Sequence, residues 1–132
     1  LEELAVKLAC RKITEEQLNA MRQREEIFRK SLYGDDVAAC AQADMEFHDA
    51  IYAATGNSRL VQILNNLREQ MYRYRLEYIK DEDKRQILQL EHEKILAALR
   101  LRHMAEAKAV ARGLIDNQEI TVLKNLKERK EV

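Results

Sequence analysis

Asp44 and His48 stand four residues apart in Asp44-Met45-Glu46-Phe47-His48, so on a helix they stack one turn above the other. Val37, Cys40, Ala41, Phe47, Ile51 and Tyr52 form the apolar stripe of that helix, and the pair sits in the middle of it. A carboxylate and an imidazole facing a core need partners, because an unpaired buried charge is expensive. His92 repeats the anomaly at the centre of a face formed by Leu88, Ile95, Leu96 and Leu99. Nitrogen and carboxylate donors on separate helices suit a divalent metal such as zinc, nickel or manganese. An Asp44–His48 ion pair, with His92 bonded elsewhere, meets the same spacing.

Arg75 is a third inward polar position. It lies amid Leu60, Val61, Leu64, Met71, Tyr78 and Ile79, with Arg68 two turns before it. A guanidinium so placed clamps a ligand carboxylate, snorkels, or pairs with Asp44. Near the end of the chain Ala107, Val110, Ala111 and Leu114 share a face that continues through Asn117, Gln118 and Thr121, and that polar tail points to a cavity. Tyr72, Tyr74 and Tyr78 read as packing, and His103 as a solvated residue at a corner.

The elements that position these residues are helices, delimited by their caps. Residues 1–11 form a short helix, expected to be the tail of one that begins upstream. Thr14 with Gln17 makes a capping box that opens a second, to about Tyr33. Asp35 or Asp36 caps a third, from Val37 to Thr55, and Gly56-Asn57-Ser58 separates it from a fourth, from Arg59 to about Ile79. Residues 80–84 read as a charged loop. Asp83, with Gln86, starts a fifth helix to about Leu101, and the last runs from Met104 to about Lys127. Gly113 inside that helix implies close packing there. The expected fold is an all-α antiparallel bundle of five to six helices.

Composition agrees. The 132 residues fit one domain, and 46% hydrophobic with 35% charged residues suits amphipathic helices. No proline and three glycines leave too little turn chemistry for an all-β fold. Lys+Arg and Asp+Glu balance at 23 each, which removes the basic signature of a nucleic-acid-binding surface. Two cysteines without a CxxC make no disulfide framework, so a reduced, cytoplasmic setting is expected. No run approaches a membrane span. The chain opens in helical pattern without methionine and reads as a piece of a longer protein. HExxH, Glu-x-x-His, GxSxG, P-loop and GxGxxG motifs are all absent from the sequence.

Asp44-Met45-Glu46-Phe47-His48, then Gly56-Asn57, then Glu91-His92-Glu93-Lys94-Ile95-Leu96-Ala97-Ala98 together resemble the ligand-sensing C-terminal (FCD) domain of GntR-type transcriptional regulators, FadR subfamily. The resemblance implies a dimerising bundle that follows an N-terminal winged helix-turn-helix, which is absent from this chain. Operator DNA would then be met only through that missing domain. It also implies a metal held by one Asp and three His, which with nearby arginines binds a small organic acid effector. Asp44, His48 and His92 match three of those ligands, and Arg75 matches an inward arginine. The fourth histidine falls on Leu114, and Asn117, one turn on, stands in as a candidate ligand contact. The expected function is therefore an effector-binding, dimerising regulatory domain and not an enzyme. The alternative is a small metal-dependent helical enzyme in which an Asp44/His48/His92 metal activates water, although no further acid or base is evident beside it.

Overall fold

A computed structural model of the chain describes residues 1–113 together with Asp116 and Leu123. They form α1 (Glu2–Lys12), α2 (Glu15–Ser31), α3 (Val37–Ala54), α4 (Ser58–Asn66), α5 (Arg68–Ile79) and α6 (Glu82–Leu101), followed by α7 from residue 104 through 113. The bundle is all-helical among the described residues. α3 is its centre, packed against α1, α2, α4 and α5, while α6 closes the far side against α1, α2 and α5.

Local chemistry sets the boundaries. Thr14 Oγ1 accepts from the Gln17 amide and the Gln17 side chain accepts from the Thr14 amide, completing the capping box at the head of α2. Asp36 caps α3 through the Ala39 amide, and Asn57 caps α4 through the Leu60 amide. Between those two helices Gly56 takes φ +63°, the left-handed turn that ends α3 at no Cβ cost. The five-residue link from α2 to α3 folds them antiparallel. Arg24 reaches Glu46 near the middle of the pair, and Phe28 clusters with Cys40 and Ala41 toward the link.

Three sequence expectations change. The stretch from Arg59 to Ile79 is two helices that break at Leu67 (φ −94°, ψ −1°), where Asn65 and Asn66 give weak helix propensity. α6 starts at Glu82, because Asp81 rather than Asp83 is its cap, accepting from the Asp83 amide; the connection shrinks to Lys80 and Asp81. A Cβ built on Gly113 meets nothing within 4 Å among the described residues, so close packing does not require that glycine.

Two apolar clusters divide the core. One joins α1, α2, α3, α4, α6 and α7 through residues such as Val6, Met21, Phe47, Leu64, Ile95 and Ala107. The other joins α2, α3, α5 and α6 through Phe28, Cys40, Tyr78, Ile79 and Leu88. Asp44, His48, Arg75 and His92 are buried in the same core.

Candidate metal and anion site

The inward residues of α3 and α6 meet. Asp44 Oδ1 lies 2.7 Å from His92 Nε2 and 3.4 Å from His48 Nε2. One donor atom from each of Asp44, His48 and His92 falls within 4.8 Å of the other two, and all three residues are buried. Phe47 stacks on the His92 ring at a centroid distance of 4.1 Å, and Phe28 meets it tilted at 4.5 Å. α5 brings Arg75 to the same point, with Nε 3.3 Å from Asp44 Oδ2. The pairing of Arg75 with Asp44, one of the readings its inward position allowed, is thus present.

Two further carboxylates complete the cluster, and they come from helices whose faces are otherwise apolar. Glu25 sits on the Leu18, Met21 and Phe28 side of α2 and takes His92 Nδ1 at 2.7 Å. Glu2 sits on the Ala5, Val6 and Ala9 side of α1. Its Oε1 accepts from Arg75 Nη2 at 3.1 Å and from the Tyr52 hydroxyl, and its Oε2 lies 3.7 Å from His48 Nδ1. Neither residue was singled out by the helical wheel of the sequence, yet the test that found Asp44 would have found both. Glu2 recurs with Ala5, Val6 and Ala9 at i, i+3, i+4 and i+7, a spacing that selects it over Glu3.

Arg68 belongs elsewhere: it forks onto both oxygens of Asp49 at 2.5 and 2.7 Å, half-exposed. His103 is exposed, 3.5 Å from Glu106, in keeping with its expected solvation. Of the tyrosines, Tyr78 packs in the second cluster, whereas Tyr52, read as part of the apolar stripe, brings its hydroxyl to Glu2. Leu114 and Asn117 lie outside the described residues.

The electrostatics of the cluster follow from its members. Burial alone would raise the Asp44 carboxyl, but Arg75, His48 and His92 bring it far below the usual carboxylate range. Burial opposes ionisation of Glu2 as well, and His48, Arg75 and Tyr52 still hold its pKa at about 2. Burial disfavours the imidazolium of His92, and its contacts with Asp44 and Glu25 outweigh that and raise its pKa. Burial works against the charge on Arg75, which Asp44, Tyr52 and Glu2 restore. Three buried carboxylates thus face one guanidinium and two imidazoles. A proton on His92 or a divalent cation offsets that excess of negative charge.

The donor set fits a divalent ion. Both histidines turn Nε2 toward Asp44 and Nδ1 toward a glutamate, the arrangement in which an outer carboxylate orients a ligating imidazole. Among the described residues neither ring nitrogen of His48 has a hydrogen-bond partner, and the same is true of Asp44 Oδ2. Buried polar atoms are rarely left in that state, so His48 marks where a further charge centre would be received.

A comparison with protein families matches the FCD domain over residues 1–117. The chain belongs to the FCD domain family. That family is the C-terminal domain of GntR-family transcription regulators, and the all-helical bundle agrees with its fold. A comparison with curated proteins finds no match. Among the described residues no helix is long and apolar enough to cross a membrane.

Proposed function

We propose that this FCD domain senses a small carboxylate-bearing metabolite and dimerises within a bacterial GntR-type regulator. Operator contact then belongs to a winged helix-turn-helix domain outside these 132 residues. Asp44, His48 and His92 would hold a divalent ion, zinc, nickel or manganese, which supplies a Lewis-acidic point for an effector oxygen. Arg75, beside them, adds a guanidinium for the same carboxylate. The observation that carries this reading is the convergence of three ligand-type side chains, one of them a histidine with neither ring nitrogen hydrogen-bonded. Binding is transmitted only if the effector favours one of two arrangements of the helices.

The enzyme alternative gains two nearby carboxylates that the sequence did not reveal, but both are engaged. Glu25 is bonded to His92, and Glu2 to Arg75 and Tyr52. Each already holds a neighbouring side chain of the cluster, so the sensor reading stands ahead of it.

Calorimetric titration of zinc and nickel into chelator-treated protein tests the metal. The wild type is expected to take one ion per chain and His92→Ala to lose at least tenfold in affinity, as for removal of a direct ligand. Equal binding by the two, or binding by neither, would make Asp44, His48 and His92 a polar core network.

A further inference from the structure

Glu2 occupies Arg75 in the manner expected of a ligand. Arg75 Nη2 meets Glu2 Oε1 at 3.1 Å, the Tyr52 hydroxyl donates to the same oxygen, and His48 Nδ1 faces Oε2 at 3.7 Å. These are the donors any carboxylate at this point would use. Glu2 also lines a cavity of about 830 Å³ between α1, α4, α5 and α7. We propose that Glu2 is a built-in occupant of the effector-carboxylate position, and that a monocarboxylate with an apolar body binds from this cavity by displacing it. The proposal rests on the anion-sensing reading above.

The cavity favours such a ligand. Leu64, Leu67 and Met71 give its wall an apolar stretch that runs away from Glu2 along α4 and α5. Lys7, Lys108 and Arg112 line it too, against Glu3 and Asp116, and Arg112 lies 3.7 Å from Glu3. Exchange of one carboxylate for another keeps the charge facing Arg75 unchanged, so displacement buries no additional ion. A neutral ligand offers no such exchange.

The helix that carries Glu2 is held at two points. At its C-terminal end Arg102, in a left-handed turn, donates to the carbonyls of Cys10 and Ile13 at 2.9 and 2.7 Å. The other point is Glu2 itself, held by Arg75 and Tyr52. Release of Glu2 therefore loosens the turn of α1 that carries it while its last turn stays anchored. An event at Arg75 is in this way converted into movement of α1.

The test uses acetate, hexanoate and hexanamide as probes against wild type and Glu2→Gln, with circular dichroism to confirm that the variant folds. An internal competitor that fills the position in nine molecules of ten weakens apparent affinity about tenfold, so Glu2→Gln should bind hexanoate about tenfold more tightly than wild type. Acetate should bind more weakly than hexanoate to both forms, and hexanamide should show no gain. In wild type, hexanoate should speed exchange of the Ala5 amide, which donates to the Leu1 carbonyl at 2.9 Å. This measurement holds even if the variant does not fold. Equal or weaker hexanoate binding by Glu2→Gln, or an unchanged Ala5 amide in hexanoate-bound wild type, overturns the displacement. Failure of both acids to bind either form overturns the anion-sensing reading itself, and the displacement with it.

Discussion

The two histidines of the cluster are set in contrasting surroundings. His92 is bonded on both ring nitrogens at 2.7 Å, to Glu25 and Asp44, and two phenylalanines hold its ring. His48 has its nearest carboxylates at 3.4 and 3.7 Å, and on its Nδ1 side is a glutamate that lines a cavity. The α2–α6 side is thus closed and bonds its histidine on both nitrogens, with Glu25 Oε1 unpartnered among the described residues; the α1 side is open and its histidine under-bonded. A site built this way keeps one fixed reference for whatever it receives and leaves exchange to the other side. Rigid support under one ligand and slack under another is what a sensor requires, since a site fixed on every side binds without a second state to report.

The residue shared by the two sides gives the largest expected effect. Asp44 faces Arg75, His48 and His92 at once. Asp44→Ala leaves a buried guanidinium and two imidazoles without it, and breaking a buried pair by removal of one partner costs about 3–5 kcal/mol. Urea denaturation, compared with wild type in chelator, measures this. A loss below about 1 kcal/mol would mean that the two sides do not depend on a common carboxylate, since that is the value of an exposed pair.

The glutamates sharpen the contrast. Glu25→Gln keeps the shape of the closed side and removes the charge that orients His92, so zinc affinity should fall about 10–100-fold. Glu2→Gln should change zinc affinity less, because Glu2 stands 3.7 Å from His48 rather than at hydrogen-bond distance. Calorimetry on the two variants side by side is decisive. If the losses are equal, the two sides are equivalent and the asymmetry has no bearing on the metal.

How much of this was legible in the sequence depended on which signal each feature leaves. Asp44, His48, His92 and Arg75 were placed inward because each interrupts a long stripe of large apolar residues, and all four are buried. Glu2 and Glu25 interrupt shorter faces and stand next to a second glutamate, Glu3 and Glu26, so the pair reads as solvated surface unless the wheel is drawn. The break at Leu67 left no trace in the periodicity. Its dihedrals stay in the right-handed helical region, and the stripe from Leu60 and Leu64 passes to Met71 and Arg75 in phase. The α6 start hinged on Asp81 and Asp83, both good caps two residues apart, and only the contact with the Asp83 amide separates them. The meeting of α1 with α5 through Glu2 and Arg75 spans most of the chain, and helical periodicity holds no information at that range.

The smallest expected effect acts on the open side alone. The Tyr52 hydroxyl donates to Glu2 and lies 3.4 Å from Arg75 Nη2. Tyr52→Phe keeps the ring and removes that hydroxyl. An arriving carboxylate loses the same donor that Glu2 loses, so hexanoate affinity, read by calorimetry, should change by less than about threefold. Zinc affinity, set largely by the closed side, should not follow. A tenfold or larger loss of hexanoate affinity would show that the hydroxyl serves the arriving anion and not Glu2, and that the two do not share one position.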